Sequence, residues 1–409
     1  MHGLKNNRVE ARRHGAVPPW LRAPWLRTLG LALVLAGCGG GVDSGGTGSV
    51  PLTFAVGPIT GFGSVIVNGV RFDDSAAAVS DDDGTPRSRD TLRLGMTTEI
   101  RGSAISTDST GAAVSTASSI AFGSDLLGMV DSVDVTAKQL MVLGQVVDVN
   151  AATVFDDVSL AGGLAAVAVG DVTEVYALFD VATDRYTATR IERKAAAAAY
   201  RLRGVVSQLD AVAKAFNIGS QRISYAGLNG VPLTLTNGGL VRLRLEPLKV
   251  GGVWLLAGLR DGAPKPRDLE AVRLEGRVSA ITSPTLFSVN GVAVDASVIG
   301  SVTGLVLGVR VEVEGTVAGS VLVASKLKVK SDDDVDKQEF ELRGAITSVD
   351  AANLRFVLRG VTVGYTLSGP ATEFRNGTAA NLAPGVNVEA EGVLSGDGAR
   401  LLAARITFK

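Results

Sequence analysis

Gly308-Val309-Arg310-Val311-Glu312-Val313-Glu314-Gly315 is a strand bounded by glycines in which valine alternates with charge. A period of two puts the valines on a buried face and Arg310, Glu312 and Glu314 on a wet one. The pattern returns at Gly385-Val386-Asn387-Val388-Glu389-Ala390-Glu391-Gly392 and from Gly95 to Gly102. A strand that recurs this closely belongs to a repeated unit, and the segments flanking it repeat as well.

Upstream lies a hairpin, Phe287-Ser288-Val289-Asn290-Gly291-Val292-Ala293-Val294, matched by Val65-Ile66-Val67-Asn68-Gly69-Val70-Arg71-Phe72. Asn-Gly is the strongest short hairpin signal, because both turn residues must adopt positive φ. Weaker copies run through Met141–Val149, Phe216–Tyr225 and Phe356–Tyr365. Each hairpin follows a strand that opens on glycine, at Gly128, Gly204, Gly276 and Gly344, spaced 76, 72 and 68 residues apart. A closing strand ends the unit, as in Ala188-Thr189-Arg190-Ile191, Ala324-Ser325-Lys326-Leu327 and Ala404-Arg405-Ile406.

Five strands, with a loop or short helix between the third and fourth, make a small Greek-key barrel of the OB type. Closure removes the exposed edges that open stacked sheets would leave, which favours barrels over the alternative. The expected fold is therefore all-β, a tandem array of about five OB-like barrels. The units are 51–125, 126–198, 199–274, 275–337 and 338–409. Each can bury a core of its own, so the copies are expected to be independent beads. Lys194–Tyr200, with five alanines, reads as a short helical connector, and Ser331–Asp336 as a charged linker.

The first 27 residues carry six basic residues and only one acid, Glu10, and the apolar run Leu29–Val34 follows. This is the layout of a secretory signal, too short in its apolar part for a membrane span of roughly 20 residues. Leu35-Ala36-Gly37-Cys38 closes it and resembles a bacterial lipobox; the bland alternative is an ordinary signal with a chance cysteine. The resemblance implies a lipoprotein signal peptide over 1–37, an acylated Cys38, and a Gly/Ser-rich tether over 38–50. Multiple acyl chains anchor stably where one does not. Gly39 after the cysteine implies sorting to the outer membrane, facing the periplasm or the cell surface.

His2 and His14 both lie in the leader, and Cys38 is the only cysteine of the 409 residues. The remaining chain thus lacks the side chains of Ser-His-Asp and Cys-His catalysis, of His/Cys metal sites and of disulfides. No cofactor is expected. Without the leader, 34 bases face 40 acids. That balance, with Trp254 as the one tryptophan outside the leader, speaks against nucleic acid as a partner.

The first unit reads Ile59-Thr60-Gly61-Phe62-Gly63-Ser64-Val65-Ile66-Val67-Asn68-Gly69-Val70-Arg71-Phe72-Asp73, followed by Leu94-Gly95-Met96 and Glu99. It resembles the opening of the bacterial domain of unknown function 5666 family, more specifically here than in the other four units, where Gly-Phe-Gly is missing. The resemblance implies a β-rich fold and an envelope location, and supplies no catalytic residues.

Three groups are weighed as sites. Gly61, Phe62 and Gly63 form either a backbone-lined ligand loop or a tight lead-in to the first hairpin. Asp81, Asp82 and Asp83 could offer calcium hard oxygen ligands, against the commoner reading of a solvated acidic run. Glu312, Glu314, Glu389 and Glu391 resemble paired acid/base carboxylates, but their alternation with apolar residues marks a solvent face. Function is read as a non-enzymatic envelope lipoprotein presenting β modules to a protein or glycan partner. The alternatives are a carboxylate-based glycan-active enzyme and calcium-dependent adhesion.

Overall fold

Thr53–Phe62, the first strand, is buried along almost its whole length, on both faces. Phe54 and Val56 enter the core of the fourth repeat, while Ala55 and Ile59 enter the core of the first. A strand read as apolar without alternation is one covered on both sides, and here a second barrel provides the cover. The computed structural model describes residues 52–228, 235–331, 334–335 and 337–409. The leader, the lipobox, Cys38 and the tether lie outside the described residues, as do Asp332, Asp333 and Asp336 of the acidic linker.

The fold is all-β, and each repeat closes into a five-stranded barrel. In barrel 1 the strands are Thr53–Phe62, Val65–Val67, Val70–Asp73, Thr97–Gly102 and Ala113–Phe122. Strand one pairs with two, two with three, three with five in parallel, five with four, and four back with one. This is the OB order, and the same five pairings close barrel 2 (Leu126–Lys194), barrel 3 (Tyr200–Asp261), barrel 4 (Ala271–Val329) and barrel 5 (Phe340–Phe408).

Two devices recur and explain the sequence repeat. The hairpin turns of barrels 1, 2, 4 and 5 put a positive-φ residue before glycine, at Asn68, Leu143, Asn290 and Arg359. Its side chain folds back over the first-strand glycine: a Cβ on Gly57, Gly128 or Gly276 would lie 2.4, 2.4 or 2.2 Å from Asn68, Leu143 or Asn290. The opening glycine is thus a vacancy for the turn residue. The closing strand of every barrel carries a bulge at one place, skipping Ser118, Thr189, Ala257, Ser325 and Ala404 in turn. Such a bulge bends the strand so that a short sheet can close.

The expectation of independent beads is overturned. Thr53–Val56 pairs in parallel with Ala271–Leu274 of barrel 4, and Gly61-Phe62 with Glu341-Leu342 of barrel 5. Leu126-Leu127 of barrel 2 pairs with Arg201-Leu202 of barrel 3. Hydrophobic cores merge accordingly, barrel 1 with barrel 5 and barrel 2 with barrel 3. The described residues from Leu52 to Lys409 thus form one compact unit. The physical reason is exposed edge: a short barrel still leaves strand ends with unpaired backbone, and the neighbours use them.

The alanine-rich connector is not helical. Lys194 ends a strand and Ala195–Ala199 runs as bends and extended chain. Five residues cannot repay helix nucleation, and here they must reach from one barrel to the next.

Candidate functional site

A heavily charged cleft lies where barrels 1, 2 and 3 meet, and barrel 3 supplies its wall. Arg201 and Arg203 stand on the first strand, Tyr200–Asp210, Arg242 and Arg244 on the fourth, Leu240–Leu245, and Arg260 on the fifth, Trp254–Asp261. Each arginine alternates with an apolar neighbour, so all five share the outer face of the sheet. The register sets Arg201 opposite Arg244, Arg203 opposite Arg242, and Arg242 opposite Arg260. Like charges directly opposed across strands destabilise a sheet unless something compensates them.

Barrel 1 provides part of the compensation. Its strand Ala78–Asp81 pairs with the end of the fifth strand and aims the acidic run at barrel 3. Asp82 Oδ2 accepts from Arg242 Nη1 at 3.0 Å, and Asp83 pairs with Arg260 and, at 3.5 Å, with Arg201. Barrel 2 adds Glu174, which accepts from Arg201 Nη1 at 3.1 Å, from Ser124 Oγ at 2.9 Å, and holds Lys194 at 2.8 Å. Arg203 is buried against Asp125, with Nη1 3.0 Å from Oδ1. Arg244 is exposed, and its side chain makes no hydrogen bond or ion pair among the described residues. The cleft they enclose has a volume of about 300 Å³.

The acidic run is therefore built in, neither solvated nor open. Asp81 Oδ1 accepts from the backbone N–H groups of Asp83 and Thr85 at 3.0 and 2.9 Å, and Oδ2 from Arg87 at 2.6 Å. Burial pushes its carboxyl up, but Arg87 and the two amides outweigh this and hold it below the usual range. The three carboxylates lie close enough to share an ion, and each already pairs with an arginine, Asp81 with Arg87, Asp82 with Arg242 and Asp83 with Arg260.

Gly61, Phe62 and Gly63 lead into the first hairpin and simultaneously dock barrel 1 on barrel 5. Phe62 is buried, and a Cβ on Gly61 would sit 2.6 Å from the Glu341 carbonyl. Beside it Arg71 forks onto Glu341, with Nη2 2.7 Å from Oε2. Glu341 lies with Glu389 and Glu391 in a second acidic group. Glu389 is buried, which corrects its reading as a solvent face: Lys409 pairs with it at 2.6 Å, and Arg405 with Glu391 at 2.7 Å. Barrel 1 covers this face, so its charges needed partners. Glu312 and Glu314 are likewise engaged, by Lys330 at 3.2 Å and by Lys326 at 2.9 Å.

One ion-pair network near the cleft titrates. Burial pushes the Glu192 carboxyl up, but Arg190 and Lys194, 2.5 and 2.6 Å away, dominate and lower it from 4.5 to about 2. A depressed acid stabilises the fold above its unfolded pKa and loses that contribution as pH falls through its folded one. Glu192 should therefore contribute on the order of 3 kcal/mol at neutral pH, lost between 4.5 and about 2. Urea melts of wild type and Glu192→Gln at pH 6, 4 and about 2.5 should converge at the acid end. Parallel pH profiles for the two proteins would remove Glu192 from the acid limb.

Sequence reasoning passed over the arginine wall. Its signal was present, as Tyr200-Arg201-Leu202-Arg203 and Val241-Arg242-Leu243-Arg244-Leu245. Both segments alternate as strands do, but only register shows that they stand side by side.

Residues 128–192, 275–328 and 343–407 match the family described as a domain of unknown function (DUF5666). They are the bodies of barrels 2, 4 and 5, whereas the resemblance read from sequence was most specific in barrel 1. The opening of barrel 1 is the strand remade to hold two neighbours. No curated protein matches the chain.

Proposed function

We propose that this chain, which belongs to the DUF5666 family through its second, fourth and fifth barrels, is a non-enzymatic envelope lipoprotein. In this reading the lipid on Cys38 holds it at the outer membrane, and the welded barrels present a rigid surface to an envelope protein or glycan. The observation that carries the non-enzymatic part is the state of the carboxylates. Asp81–Asp83, Glu312, Glu314, Glu341, Glu389 and Glu391 each bond or pair with an arginine or lysine. Glycan cleavage needs two acids in one pocket with separated environments; burial raises Glu341 while Lys409 holds Glu389 low against its own burial, but each of the two is committed to a cation, Arg71 and Lys409. The leader motif supports the anchor, and the interlocked barrels support a scaffold.

Fractionation tests the anchor. Wild type should sediment with membranes and resist high salt, and Cys38→Ser should move to the soluble fraction. A Cys38→Ser protein still bound to membranes at high salt would defeat the lipid-anchor reading. Thermal melts in calcium, envelope glycans and peptidoglycan fragments test the rest, since a ligand of the folded state must raise Tm. A saturable rise with a glycan supports the binding role. Turnover of any glycan in the panel would establish the enzyme reading instead, and a rise with calcium alone the adhesion reading.

A further inference from the structure

Barrel 3 carries more positive charge on one sheet face than the rest of the molecule neutralises there. Across the first and fourth strands Arg201 faces Arg244, and one step along Arg203 faces Arg242. Asp82 and Asp83 reach Arg242, Arg260 and, at 3.5 Å, Arg201. Nothing among the described residues reaches Arg244. Its cross-strand neighbour on the other side is Gly258, over which the Arg244 stem lies, and both line the cleft. Five guanidinium groups line the cleft with Asp82 and Asp83, and Glu174 and Asp125 stand behind Arg201 and Arg203, which leaves Arg244 the guanidinium without a counter-charge among the described residues.

An arginine opposed to another arginine, beside a glycine, in a concave site is the arrangement that takes an oxyanion. The guanidinium fork matches the oxygens of phosphate or carboxylate with two parallel hydrogen bonds. Arg244 offers an uncommitted guanidinium here, with Arg201 opposite it across the strands and Arg242 two residues along on the same face. A tetrahedral dianion has oxygens for each and cancels the remaining repulsion. We propose that the Arg201–Arg242–Arg244 face of barrel 3 binds a phosphate-class dianion, free or as a phosphomonoester on a larger envelope molecule. The inference goes beyond the lipoprotein reading and is independent of it, since no arginine of this face takes part in anchoring.

The test is isothermal titration of the full chain in mild detergent, at constant ionic strength in chloride, with inorganic phosphate, glucose 6-phosphate and acetate as separate titrants. Wild type should show saturable binding of phosphate or the sugar phosphate, and weaker binding of acetate. Tighter binding of the sugar phosphate identifies a phosphomonoester reader, and tighter binding of phosphate identifies a site for the free ion. Arg244→Ala, an exposed change that breaks no pair, should weaken binding about tenfold or more, while Arg244→Lys loses less and Lys326→Ala on barrel 4 binds like wild type. In chloride alone Arg244→Ala should melt no lower than wild type, because it relieves repulsion. No saturable phosphate binding by wild type, acetate binding as tightly as phosphate, or an unchanged affinity in Arg244→Ala would each overturn the proposal.

Discussion

Gly392→Val should destabilise barrel 5 by about 3 kcal/mol, the upper end of what overpacking costs. Gly392 ends the alternating run quoted at the outset and faces the closing-strand bulge, where Glu391 pairs with Arg405 and Gly392 with Ala403, leaving Ala404 unpaired. A Cβ there would lie 2.0 Å from the Leu402 carbonyl oxygen. That neighbour is backbone, held by the strand pairing, and cannot swing aside as a side chain can. The barrel must either open its fourth and fifth strands or lose the bulge and with it the curvature that closes the sheet. Gly315 in barrel 4 stands in the same relation, 2.1 Å from the Val323 carbonyl. Barrels 2 and 3 place Ala177 and Leu245 at this position, so the bulge itself admits a side chain in those barrels. Denaturant melts of Gly392→Val and Gly392→Ala measure what the close carbonyl of barrel 5 costs. Gly396→Ala, whose Cβ would meet nothing within 4 Å, is the control and should stay close to wild type. Near-neutral Gly392→Val would mean that the glycine is not what holds the bulge closed.

Most of the architecture was legible because it is local. Alternating valine and glutamate, Asn-Gly turns and glycines at fixed spacing each report on a few neighbouring residues, and their recurrence gave the number of strands and their order. What was not legible is non-local. Nothing in Thr53–Phe62 taken alone says that it pairs with Ala271–Leu274, more than 200 residues on. The clue was the lack of alternation, which marks burial on both faces without naming the second neighbour. Gly-Phe-Gly stood out for the same reason: barrel 1 is the repeat that docks on barrel 5, so it departs from the common pattern where it does so. The acidic run was misjudged because its partners, Arg201, Arg242 and Arg260, come from two barrels later in the chain. A charge run is a solvated face only when nothing of opposite sign folds against it.

Asp125→Ala should loosen the weld between barrels 2 and 3 by about 3–5 kcal/mol, the cost of stranding a buried charge. Asp125 precedes the first strand of barrel 2 and is 2% exposed. Its Oδ1 accepts from Arg203 Nη1 at 3.0 Å and its Oδ2 from the Ala177 N–H at 2.9 Å. Its own backbone N–H donates to Val175 and its carbonyl accepts from Arg203 N–H, so it fastens one strand of barrel 2 to one of barrel 3. Alanine leaves the main-chain bonds but takes both carboxylate oxygens, and Arg203 keeps only its Nε donation to the Gly262 carbonyl, 2.9 Å away. Whether the loss comes from the stranded guanidinium or from the attraction itself is decided by a second change. Replacing both partners of a buried pair with apolar groups is often near neutral, so Asp125→Ala combined with Arg203→Met should recover more than half of the loss. If the double variant is as unstable as the sum of the two single ones, the charges are not coupled. The weld would then rest on the main-chain bonds at residue 125, the Leu126–Leu202 pairing and the shared apolar core.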